Sequence, residues 1–197
     1  MLNPGKHPLW VFMEQYTPVS LVTWNYIEPC LRRTTVRAGD LILEEGKICR
    51  HLYFLEKGLL RFFVVYNGND VTKYFTDIPY VFTSQKSFLE QIPARESIEA
   101  LEDSIVWQMN FDDAHRLLAY PEWNIFIRKL VQEVQSFTDE ILEAVQTQTA
   151  EMRYRTMLEQ ESALLQRIPL KHIASYLGIA QQSLSRIRKN ILKKDGI

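Results

Sequence analysis

Cysteine is nearly absent from this sequence: Cys30 and Cys49 are the only two among 197 residues. Two thiols are too few for the disulfide framework of a small secreted domain or for a four-thiolate iron–sulfur cluster. The histidines, at positions 7, 51, 115 and 172, are scattered and lack the short spacing of a metal site. The sequence therefore predicts neither a metal site nor a disulfide-dependent fold.

Long apolar runs and secretion signals are absent as well. No stretch approaches the roughly 18 consecutive apolar residues of a membrane-spanning helix. The start, MLNPGKHPLWVFMEQYTP, lacks the basic-then-apolar order of a signal peptide. No P-loop, G-x-S-x-G or H-E-x-x-H motif occurs. We expect a soluble cytoplasmic protein with no catalytic residues and no membrane partner, and not an enzyme.

Net charge is close to zero overall, but positive charge is concentrated late in the chain. The formal net charge is −1, yet residues 150–197 hold nine Lys and Arg against four Asp and Glu. The other residues hold fourteen against twenty. A basic segment on an acidic body indicates an anionic partner for that segment, unless it is only a solvated basic face.

The middle of the chain has the pattern of a β-protein. Over residues 34–107, short segments rich in β-branched and aromatic residues alternate with glycine-containing turns. Asn67-Gly68 lies between two such segments and predicts a hairpin, because a type I′ turn needs positive φ at both central residues. Residues 97–110, SIEALEDSIVWQMN, predict two further strands. Short strands with regular turns favour a sandwich or a barrel.

Helical patterns flank this region. Short helices are predicted over residues 9–16 and 19–26, and another over 111–119, where Asp112-Asp113 suits a helix N-terminus. Pro121 opens a long helix, and a further helix covers residues 150–165. Apolar residues of the long helix recur at steps of three and four, which predicts a parallel dimeric coiled coil or a helix packed on its own domain. The residues of this seam are Ile127, Leu130, Val134, Phe137 and Ile141.

Residues 168–190, IPLKHIASYLGIAQQSLSRIRKN, have the spacing of a helix-turn-helix. Ala174 stands where two helices approach closely. Gly178 follows the first helix at the position where positive φ costs glycine least. The supporting apolar residues are Ile173, Leu177, Ile179, Leu184 and Ile187.

The second helix of this motif predicts contacts to DNA, because its first turn enters the major groove. We expect Gln181, Gln182 and Arg186 to contact bases, since Gln can bond adenine and Arg can bond guanine in a bidentate way. Lys171 and Ser183 are expected to contact phosphate. For each basic residue the alternative is phosphate neutralisation or exposure without contact. The other predicted interface residues are Ser185, Arg188 and Lys189.

In this order, a β-region with spaced glycines, a long seam helix and a helix-turn-helix resemble the CRP/FNR superfamily of transcription regulators. The stretches that carry the resemblance are LYFLEKGLLRFF, SIEALEDSIVW and IASYLGIAQQSLSRIRK. The chain looks most like the shorter Crp-type regulators of Bacteroidetes. The resemblance implies an α+β fold: an N-terminal β-roll (double-stranded β-helix or jelly roll) flanked by helices, a long dimerisation helix and a helix-turn-helix. We place the boundaries of these domains at residues 1–120, 121–148 and 149–197.

The same resemblance implies a homodimer on a palindromic operator of double-stranded DNA. It also implies a cyclic-nucleotide-binding-like domain, with a small-molecule effector, and it is compatible with RNA polymerase as a partner. The family usually has a β-hairpin wing after the second helix. Here only ILKKDGI follows Asn190, so we expect a truncated wing, with Lys193 and Lys194 contacting phosphate instead. His172 is expected to be exposed.

The phosphate-binding cassette of the family corresponds to residues 81–101, VFTSQKSFLEQIPARESIEAL. Thr83 and Ser84 replace the Gly and Glu of the family pattern, and Ala94 stands in the place of its Arg. Neighbouring strand residues point to opposite faces, so Arg95 replaces that Arg only if the loop shifts register. Lys86 is the alternative cation. The candidate ligand-binding residues are Phe82, Thr83, Ser84, Lys86 and Arg95.

These departures predict that cyclic AMP does not bind in the usual mode, although a cyclic nucleotide stays open as the cofactor. The pocket then holds another small ligand or none. The rival hypothesis for the whole chain is a ligand-binding β-roll signalling protein that does not read DNA specifically.

Overall fold

The computed structural model describes residues 6–194, and for residues 192–194 it describes the backbone alone. Helical segments precede and follow a β-region, as the sequence predicts. Among the described residues, no helix combines the length and the apolar character needed to cross a membrane. The segments before the first strand are α1 (Pro8–Met13), α2 (Leu21–Ile27) and a 3-10 turn (Glu28–Cys30).

The β-region forms two four-stranded sheets. Their strand orders are β1-β8-β3-β6 and β2-β7-β4-β5, so strands distant in sequence become neighbours. The registers that are defined, β1 with β8, β2 with β7, and β3 with both β6 and β8, are antiparallel. This arrangement agrees with the predicted roll. The strands are β1 (Arg32–Val36), β2 (Leu41–Leu43), β3 (His51–Lys57), β4 (Leu60–Tyr66), β5 (Asn69–Thr76), β6 (Tyr80–Phe82), β7 (Ser97–Ala100) and β8 (Ser104–Asn110).

Several turns of the β-region have positive φ, and two of them position neighbouring strands. Asn67 and Gly68 have φ of 50° and 74° and join β4 to β5, which confirms the predicted hairpin. Gly58, with φ of 133°, lies just before β4. A Cβ added there would lie 2.0 Å from Ser104 Oγ and 2.8 Å from Ser104 Cα. Gly58 is therefore required both by its backbone angle and by the close approach of β8.

Helix α3 (Gln85–Glu90) interrupts the β-region, and the prediction that residues 34–107 form only short strands and turns is wrong here. The helix ends at Gln91, which adopts φ of 51° and donates from Nε2 to the carbonyl of Phe88 at 2.6 Å. Ser87 Oγ accepts the N–H of Cys49 at 2.9 Å and donates to the carbonyl of Ile92 at 2.5 Å. These bonds join α3 to a segment 38 residues earlier, which no local pattern encodes.

The β-region encloses a buried ion pair. Arg61 on β4 donates from Nε and Nη2 to Glu99 Oε2 on β7, at 2.9 and 2.8 Å. The Arg61 side chain is 2% exposed, whereas that of Glu99 is 20% exposed. Loss of the ion pair should therefore cost more when the carboxylate of Glu99 is removed than when the guanidinium of Arg61 is removed, because Glu99 reaches water.

The helical part that follows the strands begins with Asn110, whose Oδ1 accepts the N–H of Asp113 at 2.8 Å and caps the first helix. The helix predicted over residues 150–165 is in fact two helices, because Glu161 leaves helical geometry at φ −136° and ψ 37°. The helices are α4 (Phe111–Leu117), α5 (Pro121–Thr147), α6 (Ala150–Gln160), α7 (Ser162–Arg167), α8 (Leu170–Leu177) and α9 (Gln181–Lys194).

The segment around α1 holds the first half of α5. Tyr16 donates its hydroxyl to Glu133 Oε2 at 2.6 Å, and Lys129 donates to the Tyr16 carbonyl at 2.5 Å. The Ser20 N–H donates to Glu122 at 2.9 Å. Burial, with help from the Glu133 charge, raises the pKa of Tyr80 to about 12. These contacts fix α5 against the N-terminal segment over several turns.

Internal contacts divide the chain into two compact units. One unit comprises Met1–Phe62 and Phe75–Phe137, and the other comprises Phe63–Tyr74 and Thr138–Ile197. The long helix α5 therefore begins in the first unit and ends in the second, and the tip of the β4–β5 hairpin groups with the C-terminal helices. The predicted domain boundaries at residues 120 and 148 are not tested by this division and remain a prediction.

Candidate nucleic-acid interface

The turn between α8 and α9 has the geometry that the sequence predicts. Gly178 has φ of 70°, and its N–H donates to the carbonyl of Ser175 at 3.0 Å. The N–H of Ile179 donates to the carbonyl of Ala174 at 3.0 Å. A Cβ at Gly178 would meet nothing within 4 Å, so glycine is needed here for its backbone angle and not for space.

The apolar residues of this motif are buried where the spacing places them. Ala174 is 2% exposed and Leu184 is 0% exposed, which lets α8 and α9 approach closely. Ile179 and Ile187 are half-buried. The other buried residues of the motif are Ile168, Ile173, Leu177 and Ile191.

Most of the predicted DNA contacts lie on the exposed surface of this motif. Ser183 is half-buried, and the Ser185 hydroxyl donates to the carbonyl of Gln181 at 3.0 Å, so it is already used within α9. Spacings of three, four, seven and eight residues bring the exposed side chains of α9 to one face. Lys193 and Lys194 lie outside the described side chains. The exposed predicted residues are Lys171, Gln181, Gln182, Ser185, Arg186, Arg188 and Lys189.

His172 corrects the prediction that it is an exposed residue on the first helix of the motif. Its side chain is 6% exposed. Helix α8 buries His172 together with Ile173, Ala174 and Leu177, and three consecutive buried residues require packing over more than one narrow stripe. Because packing covers a wide face of α8, His172 is buried although it is polar.

Arg153 on α6 is a structural residue of the motif that the sequence analysis missed. Its Nη2 donates to the carbonyl of Leu177 at 2.7 Å. This carbonyl ends α8, where the orphan acceptors and the negative end of the helix dipole favour a cation. Its partner is 24 residues away in sequence. The Arg153 charge also lowers the pKa of Tyr176, against a larger rise caused by burial.

The aromatic part of the predicted ligand cassette lies in a packed cluster. Phe82 is 4% exposed and stacks on Tyr53, with ring centroids 5.1 Å apart and planes at 14°. The edge of Phe62 meets Phe82 at 5.7 Å. Burial raises the pKa of Tyr53 well above its usual range. Three rings therefore fill space between the strands that carry them.

The Thr83 hydroxyl of the cassette is directed to protein partners, and Ser84 is buried. Thr83 Oγ1 donates to the carbonyl of His51 at 3.0 Å and lies 3.2 Å from Cys49 Sγ. Ser84 is 4% exposed and precedes α3, where its carbonyl accepts the N–H of Phe88 at 2.8 Å.

The cationic side chains of the cassette are exposed, and backbone hydrogen bonds fix the register of the loop that carries Ala94 and Arg95. Ala94 donates its N–H to the carbonyl of Lys47 at 2.8 Å and accepts the N–H of Gly46 at 2.9 Å. Ala94 is buried at 4% exposure, whereas Lys86 and Arg95 are exposed. This pairing opposes the register shift that would bring Arg95 into the place of the family Arg. In the described part of the chain, no group of three His, Cys, Asp or Glu residues could hold a metal ion.

The apolar seam of α5 is only partly buried. Leu130 is 5% exposed and packs in its own unit, so for this residue the structure favours the alternative of packing within the chain. Phe137 remains 45% exposed, and Val131, Leu142 and Val145 are 43%, 54% and 52% exposed. Ile127, Val134 and Ile141 are half-buried. A stripe of uncovered apolar surface thus follows the helix.

Comparison with known protein families gives a match to the β-region of the chain. Residues 33–120 match the family model of the cyclic nucleotide-binding domain. A search of curated protein sequences gave no match.

Solved structures resemble most of the chain. A protein from Eubacterium rectale described as a transcriptional regulator of the Crp/Fnr family has a TM-score of 0.74 at 18% identity, over 96% of this chain and 88% of that one. A CooA mutant from Carboxydothermus hydrogenoformans has a TM-score of 0.71 at 16% identity, over 98% and 87%. FixK2 from Bradyrhizobium japonicum has a TM-score of 0.70 at 18% identity, over 85% and 86%. These likenesses confirm the expected α+β architecture.

Proposed function

Because the chain is similar in fold to a regulator of the Crp/Fnr family, we propose that it is a homodimeric transcription regulator of the CRP/FNR superfamily that binds double-stranded DNA. The observation that carries this proposal is the helix-turn-helix of α8 and α9. Its apolar residues are buried and its turn is closed by Gly178, while its Gln and Arg side chains remain exposed on α9. The basic charge of residues 150–197 supports an anionic partner for this motif.

The exposed residues divide by the kind of DNA contact they make. The first turn of α9 enters the major groove, where Gln181 and Gln182 bond adenine and Arg186 bonds O6 and N7 of guanine. Lys171, Ser183, Arg188 and Lys189 contact the phosphate backbone and set the orientation of the motif. Ser185 lies on the DNA-facing side of α9, and its hydroxyl is hydrogen-bonded to the carbonyl of Gln181.

The exposed stripe of α5 supports the homodimer. An apolar stripe on a long helix favours pairing with a second copy of that helix, since association removes the stripe from water. Two copies bring two recognition helices to a palindromic operator, with half-sites one helical turn apart or a multiple of it.

Substituting Phe137 tests this interface. Phe137→Asp places a charge in the apolar stripe, and we expect the sedimentation coefficient to fall from that of a dimer to that of a monomer at micromolar concentration. Ser136→Asp, on the polar side of the same helix, is the matched control and should leave the dimer unchanged. A Phe137→Asp chain that still sediments as a dimer would contradict the proposed seam.

The β-roll is proposed as the regulatory part. An effector that binds one state better than another shifts the population of that state, and with it the spacing of the recognition helices. The engaged Thr83 hydroxyl, the exposed Lys86 and Arg95 and the aromatic cluster of Phe82 favour an effector other than cyclic AMP. RNA polymerase fits as a downstream partner of a DNA-bound regulator.

Thermal unfolding tests the cassette. We expect millimolar cyclic AMP to leave the melting temperature unchanged, because the Arg that would pair with the cyclic phosphate is replaced by the buried Ala94. A ligand present at 100 times its Kd would stabilise the folded state by about 2.7 kcal/mol. An increase of several degrees would mean that the altered cassette still binds the nucleotide.

DNA binding itself is tested by selecting bound fragments from random DNA and then measuring retention as salt rises. We expect enrichment of a palindrome and a steep loss of affinity between 50 and 200 mM salt, because each neutralised phosphate releases counterions. The rival hypothesis, a ligand-binding β-roll without specific DNA reading, predicts no enriched sequence. No enrichment in the presence or absence of small metabolites would overturn the proposed function.

A further inference from the structure

The tip of the β4–β5 hairpin groups with the C-terminal helices. Residues Phe63–Tyr74 share a compact unit with Thr138–Ile197, although β4 and β5 themselves belong to a sheet of the roll. Strand β5 lies at the edge of that sheet, whose order is β2-β7-β4-β5. An edge strand presents backbone N–H and C=O groups that have no neighbouring strand.

Ser175 on α8 supplies partners for two of these groups. Its hydroxyl accepts the N–H of Thr72 at 2.9 Å and donates to the carbonyl of Asp70 at 2.7 Å. Residues two apart on a strand direct their backbone groups to the same edge. A single hydroxyl, which is both donor and acceptor, therefore takes the place of the next strand.

On the Thr72 side the contact is buried as well as hydrogen-bonded. Thr72 is 4% exposed, and its Oγ1 is buried without a hydrogen-bond partner. A buried backbone N–H that lost its bond would also lack water, which makes the Ser175 hydroxyl costly to remove. The carbonyl of Ser175 meanwhile accepts the N–H of Gly178, the residue that closes the helix-turn-helix.

We propose that Ser175 is a positioning residue that binds the edge of β5 and joins the β4–β5 hairpin to the helix-turn-helix as one body. The hairpin strands continue along the chain into the sheet, so a displacement of β5 is transmitted to α8 and from there through Gly178 to the start of α9. This second path to the recognition helix is separate from the covalent path along α5. Its role in DNA reading rests on the proposed function.

Amide exchange in the full-length protein tests the joint directly. Ser175→Ala removes both bonds while Ala favours the helix, so α8 is expected to stay folded. The Thr72 amide, followed by NMR, should exchange about fivefold faster or more, which corresponds to one hydrogen bond lost. The amides of Gly178 and Ile179 should keep their protection and so report an intact motif.

Thr156→Ala is the matched control. It removes a helix hydroxyl of the same unit that donates only to its own helix, at the Met152 carbonyl, and it should leave Thr72 exchange unchanged. Unchanged Thr72 exchange in Ser175→Ala would overturn the proposal. Faster exchange in Thr156→Ala to the same extent would overturn it too, because the effect would then be a general loosening.

A second arm adds a DNA fragment enriched in the selection experiment. We expect the Thr72 amide of the wild-type chain to stay protected in the complex, since the hairpin moves with the motif. Fivefold faster exchange of the Thr72 amide on DNA binding would contradict the proposal that the hairpin and the helix-turn-helix move as one body. Should the chain bind no DNA, the proposed function fails, while the comparison without DNA still decides whether Ser175 joins the hairpin to the motif.

Discussion

Arg186→Ala is expected to abolish the base preference of the chain on the proposed operator while leaving the proposed homodimer intact. Arg186 is exposed on α9, one turn after Gln182. A bidentate contact from Arg to guanine contributes about 1–3 kcal/mol of discrimination, or roughly 5- to 150-fold in affinity. The measurement compares binding of the enriched palindrome with binding of variants at each base pair.

Arg188→Ala is the matched comparison for this result. Arg188 is exposed on the same helix, and its charge lowers the pKa of Tyr154 against the larger effect of burial. As a phosphate contact it should weaken binding to all sequences alike and lower the salt slope by about one. If Arg186→Ala keeps its base preference, Arg186 is not the base-reading residue.

Glu99→Ala is expected to destabilise the β-roll by about 3 kcal/mol, because it takes the carboxylate away from the buried Arg61 guanidinium. For a chain of this size such a loss lowers the melting temperature by roughly 10 °C. The measurement is thermal unfolding followed by circular dichroism, at a protein concentration well above that at which the dimer dissociates.

Arg61→Met should cost much less than Glu99→Ala, although both remove the same ion pair. Met replaces the guanidinium with an apolar side chain of similar length, and Glu99 keeps its access to water at 20% exposure. Removing one partner of a buried ion pair costs most when the charge that remains is itself buried, as Arg61 is and Glu99 is not. Equal losses in the two variants would contradict this asymmetry.

Features governed by adjacent residues could be predicted from the sequence. Asn67-Gly68 specified the hairpin, because few residue pairs tolerate positive φ at both positions. The helix-turn-helix followed from Ala174, Gly178 and the apolar spacing, since both the turn and the helix crossing are set within about twenty residues. The family resemblance supplied the order of the domains.

Features governed by distant partners could not be predicted. Helix α3 is held by Ser87 through Cys49, which is 38 residues away, and Arg153 finds its acceptor 24 residues later. Ser175 binds a strand more than 100 residues earlier. Each is a side chain that satisfies a backbone group of another element, and such pairs have no period in sequence. The prediction that His172 is exposed was wrong, because burial on α8 extends beyond its apolar stripe.

The aromatic cluster of Phe82, Tyr53 and Phe62 bears on how this roll could acquire a new ligand during evolution or design. Truncating Phe82 to Ala would cost about 3–5 kcal/mol and leave an apolar cavity. Cavities lined by apolar side chains stay dry and accept small apolar guests. In such a roll, a new specificity can arise by the loss of a ring, with the guest restoring part of the lost stability.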